Sequence, residues 1–254
     1  MIIVENLSKF ELEKARRCVS IANGGIGVFS DPSNGILFNS KEIREAFVKD
    51  IVCKTNKELY EQDFDTKFSG STLVFTLLLG NLIVCGNVGD SRAVIGSQKE
   101  GEWSVTRLSR DHKPELADER ERIINSNGRI SPSKNIEGEY TGPARVWQKN
   151  AKYPGLAMSR SLGDQVGKCC GVIEVPEVRE RRLTNADKVL ILGSDGIWEL
   201  ITSVEAVRLV IPFWKVNDAK SACNKLVEEA RNRWKRKSNS IDDITCIVMF
   251  INPK

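Results

Sequence analysis

The chain has 254 residues, 41% of them hydrophobic and 28% charged, which supplies one large core and excludes a disordered or fibrous protein. The formal charge is only +4, too modest to mark a nucleic-acid binder. The single histidine, His112, excludes a zinc centre built from several histidines and a His/Asp binuclear hydrolase site.

Met1-Ile2-Ile3-Val4 is followed by a charged segment without a basic n-region, apolar h-region or cleavage site, so no secretory signal is expected. Seven cysteines without Cys-x-x-Cys spacing suggest reduced thiols of an intracellular protein, in the cytoplasm, the nucleus or both. Residues 1–38 show little periodicity. Glu11 to Arg17 begins a helical pattern, Asn23-Gly24-Gly25 breaks it, and Asp31-Pro32-Ser33-Asn34-Gly35 is a turn.

From Asn39 the pattern sharpens. Asn39 and Glu42 have capping-box spacing, and Ile43, Phe47, Ile51 and Leu59, with Val48 and Val52 beside them, predict a helix to about Glu61. Leu73 to Leu79 and Leu82 to Cys85 are apolar runs joined by Gly80-Asn81, a hairpin whose halves are each too short to span a bilayer. Ala93 to Ile95 and Trp103 to Leu108 follow as strands, and such short connections predict an antiparallel meander. Lys113-Pro114 starts a predicted helix to about Asn125, with Gly128 beyond its end.

Residues 129–156 contain Pro132, Pro143 and Pro154 with little periodicity, and are expected to form a long functional loop. Val172 to Pro176 and Glu177 to Arg179 suggest short edge strands, and Val189 to Leu192 a buried central one. A short helix over Val204 to Ile211 is expected to stop at Pro212. A longer one from Asp218 to about Trp234 places Ala222, Leu226, Val227, Ala230 and Trp234 on one face, and Ile244 to Ile251 is a last buried strand. The basic cluster from Arg231 to Lys237 fits the solvated end of that helix, favoured there by the helix dipole. This order predicts an α+β fold, two mainly antiparallel sheets with helices outside, and carries no βαβ alternation or phosphate-binding glycine motif.

No Gly-x-Ser-x-Gly elbow is present, and no cysteine is followed six positions later by arginine, which leaves carboxylates as the chemical groups. Asp90 and Asp195 each follow a predicted strand, and Asp242 precedes one. Singly, each is an ordinary turn residue; if their strands are neighbours, the carboxylates converge and need a hard divalent cation. Mg2+ or Mn2+ suits such oxygen ligands, and a metal pair lowers the pKa of a bridging water.

Six segments occur in the order and approximate spacing of one family. They are Ser69-Gly70-Ser71-Thr72, Val88-Gly89-Asp90-Ser91-Arg92-Ala93-Val94, Ser109-Arg110-Asp111-His112-Lys113-Pro114, Gly155 to Asp164, Ser194 to Glu199, and Asp242-Asp243-Ile244-Thr245. Over about residues 40–251 the chain resembles the metal-dependent type 2C serine/threonine protein phosphatases. The resemblance implies a four-layer α-β-β-α sandwich over a single domain, acting as a monomer on phosphoserine and phosphothreonine proteins. It matches Asp195 and Asp242 to ligands of a core metal, Asp90 to a ligand of a weaker third metal, and Glu199 to a position where many members have an aspartate at that third site. It matches 129–156 to the flap beside the cleft. A structural role is expected for His112, and carboxylate-orienting roles for Arg92 and Arg160.

The family's Asp-Gly-His-Gly motif, with its metal-bridging aspartate and proposed acid histidine, is absent. Gly27 to Asp31 resembles the strand leading into it, but Pro32-Ser33-Asn34 follows, which leaves Asp31 as a further metal candidate. Two functions therefore compete: a phosphatase whose sequence is N-terminally truncated or divergent, and a catalytically impaired relative that binds phosphoproteins or partners. A Mg2+-dependent nucleotide hydrolase would explain none of the six segments.

Overall fold

The computed structural model describes residues 20–22, 26–29, 40–238 and 240–251. In chain order the elements are β1 (Ser20–Ala22), β2 (Ile26–Phe29), α1 (Lys41–Tyr60), β3 (Gly70–Ser71), β4 (Leu73–Leu79), β5 (Leu82–Val88), β6 (Arg92–Lys99), β7 (Glu102–Arg107) and α2 (Ala117–Asn125). There follow β8 (Gly128–Lys134), β9 (Tyr140–Gln148), β10 (Pro154–Leu156), β11 (Leu162–Gly163), α3 (Gln165–Lys168), β12 (Glu177–Arg182), β13 (Asp187–Gly193), α4 (Asp195–Trp198), α5 (Ser203–Lys215), α6 (Ala219–Lys237) and β14 (Cys246–Phe250). No helix among the described residues is long and apolar enough to cross a membrane.

Two sheets form the centre. One has the order β1-β2-β4-β5-β12, the other β14-β13-β6-β7, and apart from the parallel β2–β4 pair all neighbours in them are antiparallel. Alternation along the strands builds the layers, because successive side chains point to opposite faces. Ala93 and Ile95 of β6, with Leu190 and Leu192 of β13, meet Val74, Ile83 and Cys85 of the other sheet. Val94, Val189 and Ile191 point the opposite way, onto Ala206, Val207 and Val210 of α5 and Ala222, Leu226 and Ala230 of α6. Val52 of α1 packs on Leu73 and Val88 across the outer face of the five-stranded sheet. The result is the expected α+β sandwich of four layers.

Several local expectations are corrected. Ser40, rather than Asn39, caps α1, its hydroxyl accepting from the Ile43 N–H at 3.2 Å. The buried face of that helix is Val48, Val52 and Asn56, and Ile43 is exposed. The predicted meander is two hairpins in different sheets, since the chain crosses between them at Gly89-Asp90-Ser91. Helix α2 begins at Ala117, after a turn through Pro114. Residues 129–156 are a three-stranded antiparallel sheet, β10-β9-β8, rather than an irregular loop. Of the two edge strands expected after Val172, only β12 forms, paired with β5. Pro212 lies inside α5 instead of ending it; burial of Ala206, Val207 and Val210 on the sheet outweighs the lost hydrogen bond.

Candidate metal centre

Three neighbouring strands of the four-stranded sheet, β14, β13 and β6, bring their carboxylates to one end. Gly193, the last residue of β13, is paired with Arg92, the first of β6, and with Cys246, the first of β14. Asp90 lies just before Arg92, Asp195 just after Gly193, and Asp242 shortly before Cys246, so antiparallel pairing gathers them at the same edge. The Asp31 candidate lies outside the described residues.

Backbone ties fix the Asp195 and Asp242 turns to each other. The Ser194 N–H donates to the Thr245 carbonyl at 3.0 Å, the Thr245 N–H to Ser194 Oγ at 3.1 Å, and Ser194 Oγ–H to the Asp243 carbonyl at 3.0 Å. Trp198 Nε1–H holds the Gly193 carbonyl, and Trp234 Nε1–H the Gly196 carbonyl. A Cβ on Gly196 would sit 2.3 Å from the Asp243 carbonyl oxygen, so only glycine lets the two segments approach this closely. Gly196→Ala is therefore expected to cost about 1–3 kcal/mol, measured by urea unfolding, by forcing the segment behind Asp242 away.

Asp90 is buried, and the Lys113 ammonium donates to its Oδ2. The turn that carries it is set by His112. The Gly89 N–H donates to His112 Nδ1 at 3.0 Å, and the His112 N–H returns to the Gly89 carbonyl at 3.0 Å. Nδ1 is therefore an acceptor and the neutral ring carries its proton on Nε2, 3.6 Å from Glu177 Oε2. Burial pushes the imidazole below its ordinary value against the pull of Glu177, which keeps it neutral. This is the structural role expected of His112. Arg92 and Arg160 also orient carboxylates: Arg92 grips Asp111 and lies 5.1 Å over the Trp198 ring, and Arg160 grips Glu119.

Burial, then the charges of Asp90 and Asp242, with Glu199 behind them, push the Asp195 carboxyl up to about 6 despite Lys113. Lys113 itself is lowered by burial but raised further by Asp90, Asp195 and Asp111. An ammonium thus already sits among these carboxylates, which marks the edge as one that calls for a cation. Glu199 is exposed, with Lys237 Nζ at 3.5 Å, and Asp242 is exposed, accepting from the Asp243 N–H at 2.8 Å. Among the described residues no group of three or more His, Cys, Asp or Glu side chains is placed to hold a metal ion by itself. The donors are hard oxygens in an open arrangement, and that suits Mg2+ or Mn2+, which keep several waters, better than a cation that needs an all-protein shell.

Lys113 was not singled out as a member of the site from sequence, although it lies inside the Asp-His-Lys-Pro segment. Nor was Glu119, which is fully buried and joins α2 to the segment entering β11 through Arg122, Ser159 and Arg160.

The sequence model of the family described as Protein phosphatase 2C matches residues 31–238. Among curated proteins, "Probable protein phosphatase 2C 72" of Arabidopsis thaliana is 40% identical over 205 residues, covering 78% of this chain and 59% of that protein. "Probable protein phosphatase 2C 73" of the same plant is 35% identical over 212 residues, covering 82% of this chain and 55% of its own length. The chain thus spans a little over half the length of these relatives. Among solved structures, a serine-threonine phosphatase 2C from Toxoplasma gondii superposes with a TM-score of 0.73 at 20% identity, over 98% of this chain and 72% of that one. A C. elegans sex determining protein superposes with a TM-score of 0.61 at 21% identity, over 96% of this chain and 50% of the other, and both show the shared fold. By the family match over most of its length, the chain belongs to the protein phosphatase 2C family.

Proposed function

We propose that this chain is a metal-dependent protein serine/threonine phosphatase that hydrolyses phosphoserine and phosphothreonine in intracellular proteins. The observation that carries the reading is the gathering of Asp90, Asp195 and Asp242 at one end of three neighbouring strands. In this reading Asp195 and Asp242 hold a core Mg2+ or Mn2+, and Asp90 and Glu199 a weaker site. When bound, such a metal supplies a hydroxide-like water and neutralises phosphoryl charge. Lys113 balances Asp90, which leaves Asp195 as the carboxylate with most to gain from a cation. His112, buried and committed to Gly89, is not placed to protonate a leaving alkoxide, and the chain has no other histidine, so solvent supplies that proton. The sheet β10-β9-β8 stands in the part of the chain matched to the flap and would border the substrate; no second copy is needed, so we assign a monomer.

The test is hydrolysis of p-nitrophenyl phosphate and of a phosphothreonine peptide by the purified chain, with Mn2+, with Mg2+ and with chelator. Turnover that requires metal is the expected result. A folded protein inert at saturating metal contradicts it and leaves the non-catalytic, phosphoprotein-binding relative.

A further inference from the structure

Helix α6 packs on β14, and the contact brings two cysteines together at the root of the Asp242 segment. The Cys246 Sγ–H donates to the Cys223 carbonyl at 3.9 Å, which sets the two cysteines against each other. Both are half-buried. The remaining described cysteines lack such an arrangement: Cys85 and Cys170 are buried, Cys53 is half-buried and Cys169 is exposed.

We propose that Cys223 and Cys246 form a peroxide-responsive dithiol that closes to a disulfide between α6 and β14. The neighbouring Cys246 pulls the Cys223 thiol below its ordinary range, so of the two touching cysteines Cys223 is the nucleophile; burial pushes Cys85 and Cys170 the other way. The Cys223 thiolate attacks one oxygen of hydrogen peroxide, the O–O bond breaks, and hydroxide leaves, giving a sulfenic acid. Cys246 then attacks that sulfur and the S–O bond breaks. In sum, two thiols and one hydrogen peroxide give one disulfide and two waters, the sulfurs being oxidised and the peroxide oxygens reduced.

The bridge would act on the candidate metal centre through the backbone. Cys246 is paired with Gly193, and residues 243–245 are tied to Ser194, so a covalent link from Cys246 to α6 clamps the base of the segment that presents Asp242. The chemistry holds whether or not the chain hydrolyses phosphate.

Peptide mapping by mass spectrometry, after treating the full chain with stoichiometric hydrogen peroxide and blocking free thiols, tests this directly. The expected product is a peptide pair linked through Cys223 and Cys246, with two thiols lost per chain and both restored by dithiothreitol. In Cys246→Ser, Cys223 should instead be trapped by dimedone as a sulfenic acid. Oxidation confined to Cys169, or Cys223 and Cys246 left reduced or carried to sulfinic acid without a link, would overturn the proposal. The native sequence carries the decisive arm, so a poorly folding variant does not blunt it.

Discussion

Replacing Asp195 with asparagine is expected to abolish metal-dependent turnover while making the metal-free protein more stable near pH 7. Loss of a ligand should exceed the ten- to hundredfold typical of outer-shell changes, so we expect a fall of more than about a hundredfold. The gain in stability has a separate cause. The carboxyl is pushed up to about 6 by burial and by Asp90, Asp242 and Glu199, against about 3.9 in an unfolded chain. The folded state therefore binds the proton more tightly than the unfolded state, and stability falls as pH rises from about 4 to about 6. Above that window the full cost applies, on the order of 1–2 kcal/mol after solvent screening of this partly exposed group. Urea unfolding in chelator should show Asp195→Asn above the native protein at pH 7, with the difference vanishing near pH 4. Such a pairing of gained stability and lost activity identifies a functional carboxylate rather than a turn residue.

Glu119→Ala is expected to be the most destabilising of the single changes considered, by about 3–5 kcal/mol, because it strands guanidinium groups that a buried carboxylate now pairs. Glu119 is fully buried and accepts from Arg122, Arg160 and the Ser159 hydroxyl. Burial pushes its carboxyl up, but those hydrogen bonds and the Arg160 charge outweigh burial and hold it far below the usual range. Its contribution is complete above the unfolded value of about 4.3 and is lost only progressively as pH falls from there through its own, far lower folded value, the opposite sense to Asp195. The same arginines donate to the carbonyls of Ser159, Gly171 and Val175, and the Ser159 N–H donates to the His112 carbonyl. Unfolding curves at pH 7 and pH 3.5 check both parts: a large difference at the first and only a modestly smaller one at the second, because the folded carboxyl is still ionised there. The hub stands behind the His112–Gly89 turn, so the damage should reach Asp90 as well.

Much of the central sandwich was legible in the chain because it rests on local signals. The hairpin at Gly80-Asn81, the short apolar run Ala93 to Ile95, and the apolar run before Asp195 each fall where strands form. The changeover between sheets at Gly89-Asp90-Ser91 was not legible, since periodicity within a strand says nothing about which partner it takes. Strands β8 and β9 were missed because their residues are mostly half-exposed or exposed and include Pro132 and Pro143, so no buried face writes itself into the sequence. The ends of α1 and α2 were misplaced by one and by a few residues, where Ser40 rather than Asn39, and the turn through Pro114, decide the start. At the candidate site, strand ends point to Asp90, Asp195 and Asp242, whose turns the strand pairing brings to one edge, while Glu199 rests on the family resemblance alone. Lys113 and Glu119 were overlooked because their partners are distant in sequence: Asp90 for one, Ser159 and Arg160 for the other.

The central claim is that the carboxylates at the end of β6, β13 and β14 hold a divalent cation. Thermal melting of the purified chain and of Asp195→Asn across a Mn2+ titration tests it most directly, because a ligand bound only by the folded state stabilises by about 2.7 kcal/mol at a hundredfold excess over its Kd. The account predicts a saturable rise in Tm for the native protein and a much smaller one for the variant. No rise in a folded native protein, or the same rise in both, would contradict it.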